Sequence, residues 1–200
     1  MRSDLTEIAF ILDRSGSMEP LTNEAIGGFN AFLETQQRES GAAALISLVL
    51  FDNEYLLVYR SQDIHQVPKL TDQVYQARGT TALLDAIGIT IDGLGEKLDK
   101  TPEPLRPGKV IVAILTDGLE NASQRYNRPM IAERIKHQRE KYGWEFVFLA
   151  ANQDAVLTGT GLGVHREDCT TFAPTATGVR HAYTVASDRT LKARRRNQSN

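Results

Sequence analysis

Two hundred residues, 41% hydrophobic and 24% charged, fit one ordinary globular domain, or one domain with a tail. The net charge of −2 gives no pull toward nucleic acid or an anionic membrane surface. A single cysteine, Cys169, excludes an intrachain disulfide and any cysteine-based zinc cluster.

The first apolar run, Ile8–Leu12, is closed by Asp13 after five residues. That is shorter than the roughly 7–15 residues of a secretory core. No run reaches the roughly 18 apolar residues of a membrane span, so a reducing cytoplasm is the expected location. Ile8–Leu12 reads instead as a buried strand. After Pro20, Leu21, Ala25, Phe29 and Phe32 or Leu33 recur at helical spacing. Leu45–Phe51 is a second buried strand, and Phe51-Asp52-Asn53-Glu54-Tyr55 is a tight turn into Tyr55–Tyr59, forming an antiparallel edge hairpin.

Leu84, Ile87, Ile91, Leu94 and Leu98 mark a second helix, opening at Thr80-Thr81. Thr101–Gly108, with three prolines, reads as a surface connection. Val110–Leu115 is the next strand. Asn127 and Pro129 are start signals for a helix carrying Ile131 and Ile135. Phe146–Ala151 is a further strand, Gly159–Gly163 ends a short helix, and Cys169–Phe172 is a last edge strand. Pro174 leads into a closing helix that ends in Lys192-Ala193-Arg194-Arg195-Arg196. The chain therefore divides into a domain over 1–175 and a closing helix over 176–200. Strands that are nearly continuous apolar runs and alternate with helices predict an α/β fold: a doubly wound, mostly parallel sheet with one antiparallel edge strand.

Three short segments fall at the carboxyl ends of these strands. Asp13-Arg14-Ser15-Gly16-Ser17 follows the first, Gly79-Thr80-Thr81 precedes the second helix, and Thr116-Asp117-Gly118 follows Val110–Leu115. In a doubly wound sheet the first and fourth strands are neighbours where strand order reverses, and ligands bind outside their carboxyl ends. Asp13 and Asp117 are thereby brought together. Two adjacent carboxylates repel, and a divalent cation removes the repulsion. Hydroxyls are hard, neutral donors suited to Mg2+ or Mn2+, with Ca2+ less favoured.

These segments resemble the metal-ion-dependent adhesion site of von Willebrand factor type A domains, and the resemblance extends over about residues 5–175. It implies one divalent ion held by Asp13, Ser15, Ser17, Thr81 and Asp117. Both serines would bind directly, the Thr and Asp residues directly or through water, and a partner protein's Asp or Glu would take the sixth position. Thr80 is the rival for the second-loop role; family spacing selects Thr81, third in Gly-x-Thr.

The expected function is a metal-dependent protein-binding module, not an enzyme, with no nucleic acid or membrane as partner. The alternatives are a Mg2+-dependent hydrolase or phosphoryl-transfer enzyme, and the same fold with a purely structural metal. Such enzymes usually need a nucleophilic or second acidic residue two positions after the first Asp, and Ser15 occupies that place.

His65, His137, His165 and His181 have no metal-ligand spacing, and Cys169 reads as a small buried side chain. Asp52 reads as a turn residue, Asp85 and Asp92 as a solvated helix face or helix-start charge, and Asn152 and Asp154 as rim residues. The terminal arginines read as helix-dipole complement and solubility.

Overall fold

The apolar runs become strands of a single sheet because helices cover both faces of each. The computed structural model describes residues 1–40, 42–151 and 154–198. In it β1 (Arg2–Asp13), β2 (Ala43–Phe51), β4 (Pro107–Thr116), β5 (Glu145–Ala151) and β6 (Cys169–Phe172) are parallel. β3 (Tyr55–Asp63) returns antiparallel beside β2 at one edge. The order is β3-β2-β1-β4-β5-β6, so β1 has neighbours on either side that follow it by different connections. This is the doubly wound, mostly parallel sheet expected from the strand–helix alternation.

Side chains alternate between the two faces with period two. Ile8, Phe10 and Leu12 of β1 pack with Leu48 and Leu50 against α1 (Thr22–Gln37) and α5 (Ala176–Gln198). Ala9 and Ile11 pack with Val49, Val112 and Ile114 against α2 (Leu83–Lys100) and α3 (Arg128–Tyr142). Phe10 is the centre of the first core. Its ring lies 4.9 Å from Phe32, 5.5 Å from Phe29 and 5.7 Å from Tyr183. Such aromatic pairs add about 0.5–1.5 kcal/mol beyond their buried area. The short α4 (Ala155–Gly161) starts at Asp154, whose carboxylate accepts the Val156 and Leu157 amides as an N-cap.

Several elements extend past their apolar runs. β1 begins at Arg2 because Glu7, fully buried, is paired with Lys97 Nζ at 2.8 Å and accepts from the Ser47 and Ser61 hydroxyls. A charge inside a strand is tolerated when it is paired and hydrogen-bonded. β4 includes Pro107 and Gly108, the end of the expected Thr101–Gly108 connection, with Pro107 opposite Arg2 at the strand's start. α2 starts at Leu83, so Thr81 lies in the loop before the helix and not in its first turn. Among the described residues no helix is long and apolar enough to cross a membrane.

Candidate functional site

Asp13 is the last residue of β1, and Thr116 the last of β4, its parallel neighbour. Strand pairing therefore brings the first and third loops together. Asp13 is fully buried, and both its oxygens are engaged: Oδ1 accepts the Ser15 amide at 2.7 Å and Oδ2 the Thr116 hydroxyl at 2.5 Å. The Asp13 carbonyl accepts the hydroxyl of buried Tyr75 at 2.7 Å. Burial raises the Asp13 carboxyl to about 6, against the lowering effect of the hydroxyl and amide donors; the nearby Asp117 charge adds to the rise. Burial also raises the Asp117 carboxyl, opposed by the Ser17 hydroxyl.

The hydroxyls form a chain. Ser15 Oγ lies 3.1 Å from Ser17 Oγ, and Ser17 Oγ donates to Asp117 Oδ1 at 2.7 Å. Thr81 approaches from the second loop. A Cβ placed on Gly118 would sit 2.8 Å from Thr81 Oγ1 and 3.5 Å from Ser15 Oγ. The missing side chain of Gly118 therefore leaves a cradle that both hydroxyls border. Ser15, Thr81 and Asp117 are nearly buried, whereas Ser17 and Thr80 are exposed. All five residues singled out in the sequence lie on the carboxyl rim of the sheet, and Ser15, Ser17, Thr81 and Asp117 meet around this cradle, with Asp13 behind them.

The donor set is hydroxyl and carboxylate oxygen. Among the described residues no group of three or more His, Cys, Asp or Glu side chains is placed to hold a metal. A cation here would thus rely on hydroxyls for most of its protein ligands, which fits a hard divalent ion.

The loops are held by contacts that composition and spacing did not reveal. Gly16 N–H donates to Gly79 O at 3.1 Å and Arg78 N–H to Arg14 O at 2.8 Å, so the first two loops lie side by side. Gly79 has φ +67°, a left-handed conformation open to glycine without strain. Asp52 is fully buried beneath both loops, with Oδ2 3.1 Å from Arg14 Nε and 2.8 Å from Arg78 Nε. Arg78 also pairs with Glu54. Asp52 is a turn residue too, since Oδ1 accepts the Glu54 amide at 2.6 Å.

The third loop is fastened to the start of α2. Thr81 N–H donates to Asn121 Oδ1 at 2.9 Å, and Thr81 O accepts the Asn121 and Ala122 amides. Glu120 accepts the amides of Leu84, Ala122 and Ser123, and Ser123 Oγ accepts the Asp85 amide. A helix without a capping side chain of its own is thus capped from another loop. Asp85 returns the bonds, accepting the amides of Gln124, Arg125 and Tyr126. Of the two readings of Asp85, the helix-start charge holds and the solvated face does not. Asp92 instead binds Tyr126 Oη and Arg134. Asn152 lies outside the described residues.

No protein-family model and no curated protein sequence matches the chain. Solved structures resemble it in fold. A manganese-loaded TRAP protein from Plasmodium vivax superposes with a TM-score of 0.66 at 15% identity, covering 96% of this chain and 75% of that one. Proximal thread matrix protein 1 from the mussel byssus, with a zinc-occupied MIDAS motif, gives 0.62 at 15% identity, covering 93% and 46%. A von Willebrand factor type A protein from Catenulispora acidiphila gives 0.58 at 15% identity, covering 96% and 43%. The chain spans less than half the length of the mussel and Catenulispora proteins.

Proposed function

From the premise that this chain has the von Willebrand factor type A fold, we propose that it is a metal-dependent protein-binding module. Ser15, Ser17, Thr81 and Asp117 would hold one divalent ion, Mg2+ or Mn2+, with Asp13 bracing them from behind. The observation that carries this reading is the convergence of Ser15 and Thr81 hydroxyls on the cradle left by Gly118, with Ser17 already bonded to Asp117. The manganese of the TRAP structure and the zinc in the MIDAS motif of the mussel protein support a bound divalent ion in this fold.

Bound there, a divalent ion supplies Lewis acidity toward a carboxylate oxygen. The chain's own residues determine how strongly. Neutral hydroxyls donate little charge, and the Asp13 carboxylate is already engaged by Ser15 and Thr116. A site with so little negative charge of its own favours an incoming Asp or Glu from a partner protein. Exposed Ser17 and Thr80 leave the rim open to such a side chain.

Coordination fits this rim better than catalysis. None of the four histidines lies in the three loops, and the two carboxylates at the cradle already accept hydrogen bonds. The test is titration calorimetry with Mg2+ and Mn2+ on the wild-type chain and on Asp117→Ala, followed by capture of partners in Mg2+ and in EDTA. One site lost in Asp117→Ala, with metal-dependent capture, is the expected result. Capture that is equal in EDTA and Mg2+ rules the reading out.

A further inference from the structure

We propose that Asp52 is a positioning residue for the metal cradle: its carboxylate couples the first loop to the second, and divalent-cation affinity depends on that coupling. The inference rests on the metal-site reading above, but concerns a residue that would not touch the ion.

Asp52 follows β2 directly, and Phe51 before it is in register with Asp13. The residue therefore sits one step beyond the strand end, beneath the loops. Four of its groups are engaged. Oδ2 faces Arg14 Nε at 3.1 Å and Arg78 Nε at 2.8 Å. Oδ1 accepts the Glu54 amide, the amide donates to Glu54 O, and the carbonyl accepts the Ala82 amide at 2.8 Å. Arg14 lies between Asp13 and Ser15. Arg78 and Ala82 bracket Gly79-Thr80-Thr81. One buried side chain thus reaches the first loop and the start of the second, while its backbone holds the second loop's end.

The two arginines differ in what they need from it. Arg78 has a half-exposed side chain and a second carboxylate, Glu54. Arg14 is buried, its side chain 7% exposed, and its approach to Asp52 is ionic, without hydrogen-bond alignment at Nε. A buried guanidinium stripped of its carboxylate must move toward water. Arg14 stands between Asp13 and Ser15, and its carbonyl accepts the Arg78 amide, so a shift of its backbone would disturb both loops. Ser15 Oγ would then leave its place opposite Thr81, and the cradle would widen. Residues that orient metal ligands without binding the ion typically change affinity by about 10–100-fold when replaced.

A purely structural role would lower thermal stability and leave cation affinity alone in protein that remains folded. The experiment is titration calorimetry of the full chain with Mg2+ and with Mn2+, well below each variant's melting temperature. Asp52→Asn keeps the shape and the backbone bonds and removes the charge. It is expected to weaken Mg2+ binding about tenfold or more. Arg78→Ala removes only the half-exposed partner, so it folds even if Asp52→Asn does not. It is expected to weaken Mg2+ by about threefold with a near-wild-type melting temperature. Wild-type affinity in Arg78→Ala and in any folded Asp52→Asn overturns the inference while leaving the metal site intact. No binding by the wild-type chain overturns the metal reading itself, and this inference with it.

Discussion

Ser17 and Asp117, one hundred residues apart in sequence, are joined by a 2.7 Å hydrogen bond from Ser17 Oγ to Asp117 Oδ1. The bond closes the cradle between the first and third loops. It also fixes how the two residues respond to substitution. Asp117→Ala removes a carboxylate whose pKa burial has raised, so the apo protein loses an unfavourable charge along with a ligand. The variant is expected to lose its response to Mg2+ while its apo form melts no lower than wild-type apo. Differential scanning calorimetry with and without EDTA measures both. In the wild-type chain, a hundredfold excess of metal over Kd contributes about 2.7 kcal/mol. A wild-type melting curve unchanged by EDTA at saturating Mg2+ would falsify the metal assignment.

The Asp13 carboxyl, held at about 6 in the fold against 3.8 for a free side chain, gives the apo protein a pH dependence of definite sign. The native state binds more protons than the unfolded chain between these values, so stability falls as pH rises through them. This contribution is fully present below about pH 4 and gone above about pH 6. Asp117, shifted the same way, adds to it. Metal affinity runs oppositely, because the ion favours ionised carboxylates and binding releases protons. Apo stability and Mg2+ affinity measured from pH 4.5 to 7.5 should therefore diverge, and Asp13→Asn should flatten the apo profile.

Gly118→Ala probes the space itself. Gly118 is not among the residues with positive φ, so alanine introduces no backbone strain there. Its Cβ would press on Thr81 Oγ1 at 2.8 Å. The expected result is a folded protein, destabilised by about 1–3 kcal/mol, with Mg2+ affinity reduced at least about tenfold. Wild-type Mg2+ affinity in this variant would mean that the cradle is not where a cation sits.

The fold was legible because β1, β2, β4 and β5 are covered on both faces and so carry nearly continuous apolar runs. The five rim residues were legible because short polar motifs stood at the ends of those runs. What escaped was everything carried by pairing across long sequence distances. Asp52, Glu120 and Asp85 are ordinary loop or helix-start acids in isolation; only the folded loops give them Arg14, the α2 amides and the Gln124–Tyr126 amides as partners. Glu7 hid the start of β1 because its partner, Lys97, lies ninety residues on.

Arg194 departs from the reading of the terminal arginines as dipole complement for the same reason, whereas Arg195 and Arg196 are exposed in the last turn of α5. Arg194 is buried, donating to the carbonyls of Gln36 and Ala42 and to Gln36 Oε1, while Arg195 pairs with Glu39 and Arg196 with Glu145. They anchor α5 to the end of α1 and the base of the sheet. Arg194→Ala strands three acceptors and is expected to cost on the order of 2–4 kcal/mol in urea unfolding. Because the anchor lies at the opposite end of the sheet from the proposed metal site, Mg2+ affinity in the folded variant is expected to stay at the wild-type value.

The partner supplies the most discriminating test. If an acidic side chain binds at the rim through the metal, substituting that residue by Asn or Gln in a captured partner will weaken binding about as much as EDTA does. The two treatments will not add, because each abolishes the same bond. Thr81→Ala will weaken capture more than it lowers the melting temperature, since Thr81's backbone bonds to Asn121 and Ala122 do not involve its hydroxyl. Ser15→Ala will do the same with a larger loss of metal, its hydroxyl being linked to Ser17 and bordering the cradle. The mussel protein carries zinc at its MIDAS motif, and affinity for divalent metals generally rises from Mn2+ to Zn2+, so zinc binding is judged by whether it depends on Ser15 and Asp117. Additive losses in the double treatment, or zinc binding that survives both Ser15→Ala and Asp117→Ala, would place recognition away from these five residues and onto another surface of the domain.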